Sequence, residues 1–357
     1  MIPVTKTFLP SLQQYEALLK KAWKKRWVTN HGPFSIQLER DLKKYLSCEH
    51  LHLVTNGTIG LQVAIRATKL TGHVITTPFS YVATTSSLVW EGCSPIFVDI
   101  DPLTLTIDPK KIEQAITKDT SGILATHVYG NPCDIEGIAR IAKKYKLKVV
   151  YDAAHAFGVN YKSKPLVNYG DVSILSFHAT KLFHTVEGGA VITKKREEAR
   201  RVSYLRNFGH KGTEEFFGLG INGKMSELHA AMGICILPQV KNLIKKRKKA
   251  SWLYDTLLSE SLARPAIREK TEYNYAYYPV IFPAERNLKR SFKKLNEAQI
   301  FPRRYFYPSL TELDYVEKQK TPIAEDVARR VLCLPLFHDL QANEIEKVAR
   351  IINASLC

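Results

Sequence analysis

The feature that most constrains this chain is an alternation. Over the first two-thirds, short apolar runs rich in β-branched residues exchange with amphipathic segments of helical length. HLVT (52–55), HVITTP (73–78), SPIFVDID (94–101), GILATHVYG (122–130), the start of LKVVYDAAHA (147–156), SILSFH (173–178) and GAVITK (189–194) read as strands or extended segments. GLQVAIRATKL, VATTSSLVWEG, PKKIEQAI and IEGIARIAKKY read as helices between them. Strands that alternate with helices predict an α/β fold, a mainly parallel sheet with helices on both faces. Ligands of such a sheet sit in the loops at its strand ends.

The rhythm changes after EFFGLGINGKMS. Residues 226–260 read as long helix broken near Pro238, with the cationic stretch from Lys245 to Lys249 on an exposed face. A strand over YNYAYYPVIF (273–282), a helix through LKRSFKKLNEA, a strand near FPRRYF and an amphipathic tail helix follow. The expected organisation is a large domain over 1–240 and a smaller α+β domain over 241–357.

With 357 residues, 45% of them hydrophobic, the chain can bury a large core. Six scattered cysteines include no CxxC pair and no His/Cys cluster at metal-ligand spacing, so reduced thiols and no metal site are expected. The N-terminus has no continuous apolar core of the signal-peptide kind, and no apolar run approaches the ~20 residues of a membrane span. A cytoplasmic protein is the expectation. The net charge of +18 comes from basic runs spread along the chain. Without a recognition helix, zinc finger or RNA-binding signature these read as solvated helix faces, and no nucleic-acid partner is expected. Their diffuse field favours an anionic substrate.

Four stretches carry chemistry together. TNGTIG (55–60) follows a strand and opens a helix. Its free amides make an anion site; Gly57 permits the tight turn and Thr58 adds a hydroxyl. A plain strand-to-helix turn would look the same. Tyr81 in PFSYVATT follows a strand end, where its ring could face a planar ligand or pack in the core. Asp152 in YDAAHA ends a buried strand and so needs a partner, either a salt bridge or a ligand's ring nitrogen. His155 lies three residues on, beside a ligand oxygen or satisfied in the core. In SFHATKLFHTVEGGAVIT, Ser176 ends a strand, Lys181 follows, and Gly188-Gly189 turns the chain back. Most lysines here are surface charge, yet one held at the end of a buried sheet becomes a nucleophilic amine. An anion cradle, an aromatic platform, a strand-end acid and a strand-end amine are together what pyridoxal 5′-phosphate needs.

TNGTIGL, PFSYVATTSSLVWEGCSPIFVDIDPLTLTIDP, HVYGNPCDIEGI, YDAAHAFGV, GDVSILSFHATK, EGGAVIT and INGKMSELHAAMG resemble the motifs of the DegT-type nucleotide-sugar aminotransferases. These are fold-type-I enzymes dependent on pyridoxal 5′-phosphate. The resemblance runs from about residue 32 to 340. It implies that Lys181 is the Schiff-base lysine, Asp152 the acid at the pyridine nitrogen, and His155 the neighbour of the phenolic oxygen. Tyr81 would stack on the ring. Gly57, Thr58 and Ser176 would contact the phosphate, and Asn222 would reach it from a neighbouring subunit of a homodimer. Arg303, Arg304 and Tyr305 in FPRRYFYP are candidates for the substrate diphosphate.

The chain departs from the family pattern at Val186, where a glycine is usual, and at Gly223 and Lys224, where an aromatic and an arginine are usual. The segment TKLTGHVITTP is also short. NHGPF, ITTPFSYVATT, NYGD and LSFHATKLFHTVEGG are most similar to the branch that makes dTDP-4-amino-4,6-dideoxy-glucose. The resemblance thus implies amino transfer from L-glutamate to the C4 keto carbon of a dTDP-4-keto-6-deoxyhexose, for O-antigen or another surface glycan. Amination at C3, a UDP-linked sugar, and a basic regulator without enzymatic activity are the alternatives.

Overall fold

The apolar runs assemble into one seven-stranded sheet. In this computed structural model, which describes residues 1–356, the strands are β1 (His50–Val54), β2 (His73–Thr76), β3 (Ser94–Phe97), β4 (Thr120–Thr126), β5 (Lys148–Asp152), β6 (Val172–Ser176) and β7 (Gly189–Thr193). Their order across the sheet is β1-β7-β6-β5-β4-β2-β3. The β3–β2, β2–β4, β4–β5 and β5–β6 pairs are parallel; only β7 runs antiparallel to its neighbours β1 and β6. A short loop suffices to join β6 to antiparallel β7, and it carries Lys181.

Neighbouring residues on these strands enter different cores. Ile123, Ala125, Val149, Tyr151 and Leu175 pack on one face with the helices Pro33–Tyr45, α3 (Ile135–Tyr145) and α4 (Glu227–Ile236). Leu124, Val150 and Ile174 pack on the other, against α1 (Gly57–Thr68). Side chains alternate across a strand, so a sheet covered on both faces needs apolar residues at successive positions. That is why these segments are apolar runs.

The long segment after residue 226 is α4, a short 3-10 turn Leu237–Gln239 containing Pro238, and α5 (Val240–Leu257). α5 leads into a second core that holds Tyr254, Tyr278, Val280, Leu332 and Ile352. Ile2 joins this core because Ile2–Pro3 pairs with Ile300–Phe301. A further apolar cluster joins Phe79, Ile100 and Tyr129 of the sheet's loops to Ile281, Phe306 and Val327.

Three local expectations change. The cationic run of α5 is not wholly a solvated face. Arg247 is buried, and its guanidinium donates to the carbonyl of Ala276 at 3.0 Å and to Thr5 Oγ1 at 3.4 Å. The strand expected over 273–282 shrinks to Pro279–Ile281. Ahead of it, polar side chains are tied to loops of the sheet: Tyr273 donates to the Tyr129 carbonyl, and Asn274 to the carbonyls of His155 and Phe157. SPIFVDID is strand only through Phe97, because the Asp99 carboxylate turns away to accept the amides of Ile323 and Ala324.

Among the described residues five cysteines are free, no group of ligating side chains could hold a metal, and no helix is long and apolar enough to cross a membrane. Cys357 lies outside the described residues.

Candidate active site

The strand ends open into a cavity of about 450 Å³. Its lining includes Gly57, Thr58, Tyr81, Asp152, His155, Ser176, Lys181 and Tyr305. Eight of the residues singled out from sequence thus converge, the first and the last 248 positions apart in the chain.

At one end lies the start of α1. Asn56 caps it, its side-chain oxygen accepting the Ile59 amide at 2.8 Å. The amides of Gly57 and Thr58 precede the first intrahelical bonds and stay available. A Cβ on residue 57 would meet Ser176 Cβ at 2.9 Å, so glycine here lets α1 approach the end of β6. Among the described residues the hydroxyls of Thr58 and Ser176 have no protein partner. Two amides and two hydroxyls therefore face the cavity beside a positive helix end, a donor set suited to an anion.

Asp152 ends β5 and is buried. Its Oδ1 accepts the Ala154 amide at 3.1 Å and its Oδ2 the Thr84 hydroxyl at 2.7 Å. Burial raises its pKa, while those two donors and the Lys181 charge pull the other way. His155 is also buried, and its Nδ1 accepts the amide of Tyr129 at 3.2 Å. The neutral ring then carries its proton on Nε2. Burial, with Lys181 nearby, holds its pKa well below the ordinary value and keeps it neutral. Phe306 stacks on it at 5.6 Å.

Lys181 stands in the loop from β6 to β7. The Phe177 amide donates to the Gly188 carbonyl at 2.8 Å, and Thr185 donates back to the Phe177 carbonyl at 2.9 Å. At residue 188 a Cβ would strike Thr185 Oγ1 at 2.0 Å, which explains a glycine there. His184 braces this loop: Nε2 lies 2.7 Å from the carbonyl of Phe8, and Nδ1 accepts the amide of Val186. Burial lowers the pKa of Lys181, against the attraction of Asp152. That is the setting that frees an amine for attack.

Tyr81 is 56% exposed, with its ring at the cavity mouth and outside the core. Arg303 and Arg304 line an adjoining groove of about 500 Å³ that shares Ser80, Tyr81, Tyr305 and Phe306 with the cavity. Their roles differ. Arg304 lies over the Tyr307 ring and donates to the Arg329 carbonyl at 3.0 Å, whereas the side chain of Arg303 is exposed and without a partner among the described residues. Asn222 does not line the cavity of its own chain; it is exposed and accepts a hydrogen bond from Lys224 at 2.7 Å.

Sequence reasoning missed Tyr277, whose hydroxyl is 3.1 Å from Lys181 Nζ, and Thr84 beneath Asp152. Nothing in NYAYY distinguishes one tyrosine from the next. Thr84 did leave a trace, because hydroxyls at ATTSS are unusual on so buried a helix, α2 (Val82–Trp90).

Comparison with known proteins follows the same geometry. The profile of the DegT/DnrJ/EryC1/StrS aminotransferase family matches residues 12–353. The chain belongs to this family. It is 41% identical, over 98% of its length and 97% of the relative's, to the dTDP-4-amino-4,6-dideoxy-D-glucose transaminase of Shigella dysenteriae. Identity to the enzyme of the same name from Escherichia coli is 40%, over 98% of each chain. Among solved structures, DesI in the presence of its TDP-sugar product superposes with a TM-score of 0.94 at 29% identity, covering 99% of this chain and 93% of that one. The protein is thus an aminotransferase dependent on pyridoxal 5′-phosphate, with the α/β fold of fold type I. The residues present fit that cofactor: an unpartnered donor set for a phosphate, a buried carboxylate for a pyridinium, and a desolvated amine for an aldehyde.

Proposed function

We propose that this chain transfers an amino group from L-glutamate to the C4 keto carbon of a dTDP-4-keto-6-deoxyhexose. The product would be dTDP-4-amino-4,6-dideoxy-glucose, a precursor for a surface glycan such as an O-antigen. The observation that carries the reading is the convergence of Lys181, Asp152 and the α1 anion cradle on one cavity, in a chain 41% identical to a transaminase of that name.

Pyridoxal 5′-phosphate, when bound, supplies the aldehyde that takes up and returns the amino group and the ring that accepts electrons. Gly57, Thr58 and Ser176 would hold its phosphate, Tyr81 its ring face, and Asp152 its pyridine nitrogen. His155 Nε2 would donate to the phenolic oxygen. Lys181 Nζ would be the attachment point and, when free, the base that takes a proton from the donor's α-carbon and returns it. Arg303 is the available cation for the substrate's diphosphate, with Tyr305 beside it. Arg304, already engaged by protein carbonyls, serves by shaping that loop.

The same reading keeps a large cofactor-binding domain over 1–240. A smaller domain over 241–357 adds Tyr277, Tyr305 and Phe306 to the site. A second copy of the chain completes it, with Asn222 reaching the phosphate of the partner's site. Supporting this, Phe208, Phe216, Phe217, Leu219 and Ile221 near Asn222 are exposed, an apolar surface of the kind a subunit covers.

The test is to incubate purified protein with L-glutamate and a panel of dTDP- and UDP-linked keto sugars, and assign products by NMR. The expected product is aminated at C4 of the dTDP sugar. Amination at C3, or turnover only of a UDP sugar, overturns the proposal.

A further inference from the structure

Beside Asp152 lies a row of three buried hydroxyls, of which Ser80 also borders the cavity. Thr84 Oγ1 is 2.7 Å from Asp152 Oδ2, Ser80 Oγ is 2.7 Å from Thr84 Oγ1, and Thr126 Oγ1 is 3.0 Å from Ser80 Oγ. Each residue is at most 1% exposed. They come from three elements: the loop after β2, the first turn of α2, and the end of β4, where Thr126 sits in register with Asp152. We propose that Ser80 and Thr126, acting through Thr84, are positioning residues that hold Asp152 as the carboxylate. The proposal rests on the reading that Asp152 faces the cofactor's pyridine nitrogen.

The direction of the hydroxyl chain carries the inference. Each hydroxyl owns one proton, and an ionised carboxylate can only accept. With Thr84 donating to Asp152, Ser80 donates to Thr84 and Thr126 to Ser80, so all three protons run toward the acid. A hydrogen bond donated to an ionised carboxylate is roughly twice as strong as one donated to the neutral acid, so the chain and the Ala154 amide on Oδ1 both favour the carboxylate. Aligned hydroxyls also polarise one another, so the far members strengthen the last bond. The other polar groups around Asp152 are Lys181, whose charge acts in the same sense, and the phenol of Tyr277. An ionised Asp152 would keep the shared proton on the pyridine nitrogen, the form in which the ring accepts electrons.

The experiment uses holoenzyme loaded with cofactor labelled with nitrogen-15 at the pyridine nitrogen. In Ser80→Ala and Thr126→Val the nitrogen resonance should move toward the unprotonated pyridine position, while Thr126→Ser stays at the wild-type position. kcat should fall on the order of tenfold, the equivalent of one pKa unit, with KM for the keto sugar unchanged. Should Thr126→Val fail to fold by circular dichroism, Ser80→Ala decides. Folded variants that keep the wild-type resonance, when Asp152→Asn moves it, overturn the hydroxyl chain alone. A resonance that Asp152→Asn leaves unmoved, or wild-type cofactor trapped by borohydride away from Lys181, overturns the site reading and this inference with it.

Discussion

Lys181 Nζ donates a hydrogen bond to the phenol of Tyr277, 96 positions later, at 3.1 Å. The partnership is set from outside the sheet. Asn274 ties the segment to the carbonyls of His155 and Phe157, and Arg247 holds the carbonyl of Ala276. The ring of Tyr277 then packs edge-on against His155, with centroids 4.8 Å apart. Amine, phenol and imidazole are thus positioned as a unit by contacts between segments far apart in the chain.

Replacing Tyr277 with Phe removes the one side chain that, among the described residues, hydrogen-bonds the Lys181 amine. Cofactor trapping by borohydride should persist, because the amine remains. The expected loss is in kcat, about tenfold, the equivalent of one misplaced hydrogen bond at the group proposed to carry the proton. Single-turnover measurement of amino transfer from glutamate checks it.

Arg247→Met keeps the length of the side chain but strands the Ala276 carbonyl. Unfolding free energy should drop by about 1–3 kcal/mol, the cost of a buried polar group left unpaired. Exposed Lys246→Ala, one residue away, should stay within about 0.5 kcal/mol of wild type. Urea denaturation of both variants makes the comparison.

Gly57→Ala should weaken cofactor retention more than it weakens the fold. The new methyl meets Ser176 Cβ at 2.9 Å and must push α1 away from the end of β6. Moving the two amides by a few tenths of an ångström at a charged ligand costs roughly 1–2 kcal/mol, about tenfold in affinity. Equilibrium dialysis against pyridoxal 5′-phosphate measures it.

Val186 holds a φ of 70°, in the left-handed region that β-branched residues avoid. It occupies the position where the family pattern has glycine, and it is 40% exposed, so little packing is lost on truncation. Val186→Gly should raise stability by about 0.5–1 kcal/mol after allowing for the greater freedom of glycine in the unfolded chain. Thermal melts report the sign directly.

Stability should fall as pH drops below about 6.5. Burial lowers the pKa of His127 from 6.5 to about 3 and that of His52 to about 4, so both rings are neutral in the fold. The unfolded chain binds protons first. Their contribution is complete above pH 6.5 and is lost as pH falls toward the two folded values, below which each becomes flat. In His127→Asn the amide oxygen can still accept the Cys133 amide, which lies 3.1 Å from Nδ1 in the wild type, but no longer titrates. Its melting temperature should depend less steeply on pH between 6.5 and 4.

The sheet was legible because strands buried on both faces must be apolar at successive positions, and the connecting helices then show their own period. Gly57, Asp152 and Lys181 were legible because each stands where a strand ends. Thr84, Ser80 and Thr126 were not, since a hydroxyl in an apolar run gives no hint of which buried carboxylate it meets. Arg247 was misjudged because a run of like charges hides the one member that faces inward on a helix.

By itself the sequence determined the order of strands and helices, the family, and the chemical groups available at the strand ends, all properties of short stretches with a fixed period or spacing. Only the tertiary structure decided which of two adjacent arginines is free, which of several tyrosines meets the lysine, and which hydroxyls line up beneath the acid. Those choices depend on contacts between elements far apart in the chain. Burial then pushes the pKa of Asp152 up and those of His155 and Lys181 down, because desolvation is a property of the assembled cavity and no residue carries it alone.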